Sequence, residues 1–253
     1  MRSHRSRSRV APALVGTVAA VAAALAAATA EAPAQPRATS ARRAPVIRQM
    51  VVFRSGLTKL ARVRARGVYV RVHHRRCAVG RATPLAVLVR SRPGRIRLRD
   101  FGSCSLHPRD AGGLFVSGIG PDRNKGRNGW VYKVGRKAGT TGAADPSGPF
   151  GHGRLRSGQR VTWFYCFLRT GGCQRSLAVR VRAESGGLAV RVIGYNDVGH
   201  GLFISGATVR AGSTSAVTAP DGTAHLKLAP GHYRVVARKP GLVRSFPVRA
   251  VVG

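Results

Sequence analysis

The chain has 253 residues, with 44 Lys or Arg against only 8 Asp or Glu, a formal net charge of +36, and 43% of its residues are hydrophobic. That much apolar material can bury a core, so the chain is not a disordered polycation despite its charge. Eight acids leave little for a carboxylate-pair hydrolase or a calcium cage, and four cysteines allow at most two disulfides.

Residues 1–9 carry Arg2, Arg5, Arg7 and Arg9 and no acid, and an uncharged stretch rich in Ala, Val and Leu runs from Val10 to Ala30. Ala28 and Ala30 supply the small residues of an A-x-A site. This order is that of a secretory signal peptide over residues 1–30, cleaved after Ala30. A membrane-spanning helix is the competing reading, weakened by the Ala-rich composition. Ala32-Pro33-Ala34 offers a second cut. Residues 31–45, rich in Ala, Pro and Arg without periodicity, are expected to be a disordered spacer. The mature protein is expected to be secreted or at the cell surface, and free of the membrane.

From Val46 onward the main signal is alternation with period two. Val68, Val70 and Val72 alternate with Tyr69, Arg71 and His73. Ile96 and Leu98 alternate with Arg95, Arg97 and Arg99, and Leu177, Val179 and Val181 with Ala178, Arg180 and Arg182. Each predicts a strand with one buried face and one wet, mostly arginine face. One segment has helical spacing: Thr83-Pro84 precedes Leu85, Leu88 and Val89. An N-cap threonine with proline at the first helical position predicts a short helix that ends before Pro93-Gly94. The predicted fold class is α+β and mainly β. A first domain over 46–185 is expected to be a sheet with one helix, and Ser185-Gly186-Gly187 is read as the boundary to a second domain over 186–253.

In that second domain Leu188, Val190 and Val192 open a strand. Ala219-Pro220-Asp221-Gly222-Thr223 makes a tight turn, with Gly222 supplying positive φ. Ala224, Leu226 and Leu228, then Tyr233 to Ala237, then Phe246, Val248 and Ala250 continue the strand pattern. Short strands at this spacing predict a small β-sandwich.

Cys166 ends a predicted strand, Thr170-Gly171-Gly172 turns the chain, and Cys173 follows, which brings that pair within disulfide reach. Cys77 and Cys104 then remain. The expected disulfides are therefore Cys77–Cys104 and Cys166–Cys173, formed in the oxidising compartment that export implies.

Two stretches resemble known families. Gly129-Trp130-Val131-Tyr132-Lys133-Val134-Gly135, Leu155-Arg156-Ser157-Gly158 and Val161-Thr162-Trp163-Phe164-Tyr165 resemble the C-terminal domain of the cobalamin carriers transcobalamin and intrinsic factor. Thr83, Leu85 and Leu88 fit the upstream helix pattern of that family, while Gly135 stands where it often has Asn and Gln159 where it often has Asp. The resemblance implies a β-grasp-like sheet with one helix. It does not imply cobalamin binding, because the large helical domain of those carriers is missing. Gly206-Ala207-Thr208-Val209, Asp221-Gly222, Leu228 to Tyr233 and Val236 to Gly241 are similar to transthyretin-like, carboxypeptidase-regulatory-like domains. That resemblance implies a structural or adhesive β-sandwich without a catalytic set.

Motifs for chemistry are scarce. The chain has no G-x-S-x-G, no phosphate-binding glycine loop, no H-E-x-x-H and no C-x-x-C. No cofactor and no metal are expected. The repeat of Gly113-Leu-Phe-Val-Ser-Gly118 at Gly201-Leu-Phe-Ile-Ser-Gly206 is read as coincidence, since nothing identifies a base for Ser117. Adjacent His73 and His74 would point to opposite faces of a strand. Asp122, Asn124, Gly126 and Asn128 have the spacing of a calcium loop, but Arg123, Lys125 and Arg127 are interleaved and no bidentate Glu follows.

Trp130 and Tyr132 share one strand face, as do Trp163 and Tyr165. The four are either a stacking platform for a ligand or part of the core. The core is favoured for at least half of them, and a buried Trp pair with a Tyr pair at the rim also fits. The charge is concentrated in the first domain: residues 46–185 hold 29 basic and 5 acidic residues, and residues 186–253 hold 8 and 2. Codon usage can favour arginine, but it does not explain the scarcity of acids. Alternate arginines lie about 6.6–6.8 Å apart along a strand, a ladder suited to polyanions. Arg95, Arg97 and Arg99, with Arg123, Lys125 and Arg127, are the expected contacts. The expected protein is a non-catalytic binding or cell-surface module of unknown ligand. The competing readings are a general polyanion binder (wall polymer, polysaccharide or nucleic acid) and a secreted enzyme without a recognisable motif. The partner is an unknown ligand, for which an anionic cell-wall polymer is one candidate, with no dedicated nucleic-acid target.

Overall fold

The computed structural model describes residues 43–253. The signal-peptide and cleavage readings at Ala28 and Ala30, and all of the spacer except residues 43–45, lie outside the described residues. No helix among the described residues is long and apolar enough to cross a membrane.

The structure is mainly β. In chain order the first half contains β1 (Val46–Val52), β2 (Thr58–Arg64), β3 (Val68–Val72), β4 (Arg75–Val79), the helix α1 (Pro84–Ser91), β5 (Ile96–Asp100), β6 (Leu114–Ile119), β7 (Asp122–Arg123), β8 (Gly129–Val134), β9 (Lys137–Ala138) and β10 (Arg160–Cys166). Five of these strands form one sheet in the order β2-β1-β10-β8-β9. Its centre is the parallel pair β1 and β10, with antiparallel strands on either side. A hairpin of β3 and β4 and a three-stranded sheet of β5, β6 and β7 complete this half. One core joins them, containing Ile47, Val51, Leu85, Leu88, Ile119, Trp130 and Trp163.

Helix α1 forms where the sequence predicts it. Thr83 is the N-cap in extended geometry, and its Oγ1 accepts from the Ala86 amide at 3.3 Å and donates to the Gly80 carbonyl at 2.9 Å. Pro84 fills the first position, where its missing N–H costs nothing. The run Pro84 to Leu88 is buried, and Arg92 ends the helix in left-handed geometry. Thr83 is itself fully buried, so both bonds are made away from water. Thr83→Ala is expected to lower stability by about 1–2 kcal/mol, read as a drop in the urea midpoint at unchanged slope. A change within error would mean that the hydroxyl does not hold the helix start.

The second half contains β11 (Ser176–Glu184), β12 (Gly187–Tyr195), β13 (Gly201–Phe203), β14 (Thr208–Ala211), β15 (Thr214–Val217), β16 (Thr223–Lys227), β17 (Gly231–Arg238) and β18 (Val248–Val252). One four-stranded sheet places β12 between β11, β13 and β16, and the other has the order β15-β14-β17-β18. Leu188, Val190, Val209, Leu226, Val235 and Ala237 fill a second core shared by the two sheets. Gly222 turns the chain at φ 77° as expected.

The expected boundary at Ser185-Gly186-Gly187 is corrected. Strand β11 pairs with β12 from Ser176↔Tyr195 to Glu184↔Gly187, and its Leu177 and Val179 belong to the second core. The Ser185-Gly186 step is therefore a hairpin turn, with Gly186 at φ 68°. The two cores divide in the stretch between Cys166 and Ser176. Cys166–Cys173 closes that stretch at a Cα separation of 5.2 Å, and Cys77–Cys104 joins β4 to the loop after β5 at 5.4 Å. The pairing is the expected one, and two disulfides are consistent with an extracellular protein.

Candidate functional site

The aromatic platform is corrected. Trp130, Tyr132, Trp163 and Tyr165 are all buried, none more than 7% exposed, and all belong to the first core. The expectation of a tyrosine pair at the rim fails with it. Cross-strand pairing sets Trp163 opposite Tyr132 and Tyr165 opposite Trp130, so the four rings pack together. Tyr132 and Trp163 lie 5.3 Å apart between centroids, and Trp130 meets Tyr165 edge-on at 6.1 Å. Three of the polar tips bond to backbone carbonyls: Trp130 Nε1 donates to Asp122 at 3.0 Å, Tyr132 Oη to Thr141 at 2.9 Å and Tyr165 Oη to Arg123 at 3.1 Å. Burial pushes the Tyr132 hydroxyl up to about 12.

The expected polyanion contacts fare differently. Arg97, Arg99, Arg123 and Arg127 line one groove of about 1000 Å³, formed by β5, β6, the β7–β8 loop and the chain after β10. A bulge in β6 opposite the Arg97–Leu98 step shapes its wall. Arg97 pairs in register with Gly118, and Gly118 pairs with Arg123, so the missing glycine side chain leaves room for the aliphatic stems of the two arginines. Arg99 is exposed. Arg97 is half-buried, which corrects the expectation that it simply faces water, and it donates to the Gly120 carbonyl at 2.6 Å. Partial burial, then the charges of Arg123 and Arg95, hold its guanidinium below the ordinary value. Arg95 and Lys125 are exposed but do not line the groove.

Two further residues on the groove wall escaped the sequence reading. Phe101 and Phe115 are 73% and 43% exposed and meet edge-on at 5.8 Å between centroids. Phe115 was legible in principle, because Leu114 and Val116 on either side take the buried face of β6. Phe101 carries no such signal, since it follows the last residue of β5.

The groove also gathers Ser117, His73 and Asp100, the residue types of a hydrolytic triad. Both Asp100 oxygens are taken by backbone amides, Oδ1 by Gly102 at 3.1 Å and Oδ2 by Cys104 at 2.9 Å. No hydrogen bond joins Ser117 to His73 or His73 to Asp100 among the described residues, so the nucleophile–base–orienter chain is not assembled. His73 and His74 are exposed in the turn between β3 and β4, not within a strand. The loop with calcium-like spacing spends its side chains internally: Asp122 accepts from the Arg54 amide, Asn124 from the Trp130 amide and Asn128 from the Leu168 amide. No group of three His, Cys, Asp or Glu able to hold a metal occurs among the described residues.

Compared with known proteins, the chain matches no family model, no curated protein and no solved structure.

Proposed function

We propose that this is a secreted or cell-surface, non-catalytic binding module that captures polyanions in the groove between β5, β6 and the β7–β8 loop. The observation that carries the reading is the convergence of Arg97, Arg99, Arg123 and Arg127 on one groove whose only lining carboxylate among the described residues, Asp100, is tied to its own loop. Phe101 and Phe115 add apolar surface for the carbon skeleton between anionic groups. A chain of sulfates, carboxylates or phosphates, such as an anionic wall polymer, fits this chemistry without sequence preference.

The proposal includes the two resemblances. A β-grasp-like first half is supported by the sheet order with a central parallel pair and by the packing of α1 against β1 and β2. A transthyretin-like β-sandwich is supported by the two four-stranded sheets around the second core.

Heparin titrated against the protein and its R99S/R123S/R127S variant tests the groove. At 50 mM salt each lost contact is expected to cost about tenfold in affinity. These three side chains are exposed, so the variant is expected to fold as the parent does. Equal affinity of the two proteins would remove the groove from the function. Hydrolysis of an ester or phosphodiester that disappears in S117A would overturn the non-catalytic part.

A further inference from the structure

A second cluster of arginines lies away from the groove, where the back of the five-stranded sheet meets the outer sheet of the second half. Strand register places Arg48 opposite Arg62 on β2 and opposite Arg160 on β10. Three guanidinium-bearing residues thus stand side by side across adjacent strands, a row about 10 Å long at the usual strand spacing. Facing them, Arg234 on β17 is paired directly with Arg249 on β18. All five line one pocket of about 770 Å³, and no Asp or Glu among the described residues lines it. Among the described residues none of the five takes part in an ion pair.

Like charges set directly opposite on neighbouring strands repel. This pocket holds three such pairs: Arg48–Arg62, Arg48–Arg160 and Arg234–Arg249. Packing on Phe246 accounts for part of the arrangement, because the Arg48 and Arg160 guanidinium groups lie 5.9 and 5.6 Å from its ring centroid. Arg48 also donates to the Pro247 carbonyl at 3.3 Å. Nothing comparable holds Arg62, Arg234 or Arg249, which are exposed and aimed at the same space. Burial, then the charge of Arg48, holds the Arg160 guanidinium below its ordinary value. An anion in the pocket would offset every one of these repulsions at once.

We propose that Arg48, Arg62, Arg160, Arg234 and Arg249 form a site for a compact oligophosphate, a ligand of several tetrahedral oxyanion groups held a few ångströms apart. Planar guanidinium forks suit such groups, which each accept two parallel hydrogen bonds. A volume of about 770 Å³ lies within the range of small-molecule sites. Its five arginines come from two different sheets and line one space, whereas the groove is lined by β5, β6, the β7–β8 loop and the chain after β10. The ligand is either a free phosphate chain or a phosphorylated carbon scaffold, and both present the same oxyanion chemistry.

Calorimetric titration of the purified protein with inorganic tripolyphosphate, inositol hexakisphosphate and orthophosphate tests the site. One equivalent of a polyphosphorylated ligand is expected to bind about tenfold or more tighter than orthophosphate, since each further phosphate contact is worth about that factor at 50 mM salt. Preference for tripolyphosphate identifies a free chain, and preference for the inositol a carbon scaffold. The R62Q/R249Q variant removes two exposed arginines that do not stack on Phe246. It is expected to lose about tenfold per contact while its ligand-free melting temperature stays level or rises, because two like-charge pairs are relieved. R99S/R123S/R127S is expected to bind the oligophosphate normally and heparin poorly, which separates this site from the groove. Undiminished affinity in R62Q/R249Q, equal loss in the groove variant, or several equivalents bound without saturation would overturn the proposal.

Discussion

Replacing Lys133 with alanine is expected to destabilise the protein by about 3–5 kcal/mol, the usual cost of removing one partner from a buried charged network. Lys133 sits on β8 with its side chain fully buried. Its Nζ donates to the carbonyls of Tyr195 and Asn196, both at 3.0 Å, and lies 3.2 Å from Asp197 Oδ1. The Phe164 ring covers it, with the centroid 5.8 Å from Nζ. Burial pulls its pKa below the ordinary lysine value, against the opposing pull of Asp197. Desolvation is therefore the larger effect, and only the full set of partners keeps the ammonium in place.

The same ammonium links the two halves of the structure. Tyr195 ends β12 in the second half, and the other Asp197 oxygen accepts from the Cys173 amide at 2.9 Å, beside the disulfide. Alanine would leave a buried carbonyl, a partly buried carbonyl and one Asp197 oxygen without the ammonium, and a cavity besides. Lys133→Met fills the space and restores no bonds, so it is expected to fall between alanine and the parent. Urea unfolding of the three proteins measures both steps. A loss under about 1 kcal/mol for alanine would show that the ammonium adds little to the other contacts between the halves, such as Phe164 on Val243 and Arg48 on Pro247.

How far the sequence could be read depended on whether a signal was local. Thr83-Pro84 reports helix α1 because capping and the fixed φ of proline act within one turn. The Gly171-Gly172 turn reports the Cys166–Cys173 pairing for the same reason. Ser185-Gly186-Gly187 misleads because a flexible glycine pair suits a linker and a hairpin turn equally. Only the long-range burial of Leu177 and Val179 decides between them. Alternation on β8 and β10 correctly puts the four aromatic rings on one face, yet it cannot say what covers that face. Here both faces are covered: the one with the rings lies in the first core, and the other, which carries Phe164 and Cys166, packs against Val243. The buried Lys133 looked like one more cation in a chain with 44 of them. Likewise the parallel pairing that aligns Arg48 with Arg160 joins residues more than a hundred positions apart, beyond any periodicity.

Heparin affinity is expected to fall by about 10³ between 50 and 200 mM salt if six cationic groups contact the polymer, following the counterion-release slope of roughly 0.9 per contact. The count is what the structure puts at issue. Arg97, Arg99, Arg123 and Arg127 line the groove, whereas Arg95 and Lys125 are exposed outside it. Four contacts predict a fall of only about 10² over the same range. Arg95 lies close enough to Arg97 to act on its guanidinium, so a polymer emerging past Arg97 would meet it next. A slope near six would therefore trace the polymer out of the groove and over Arg95 and Lys125, and R95S with K125S would then lower the slope by about two. A slope near four would confine it to the groove and leave that double variant unchanged. A slope under two would mean that the arginines serve solubility rather than capture, since a built polyanion site cannot bind through so few released ions.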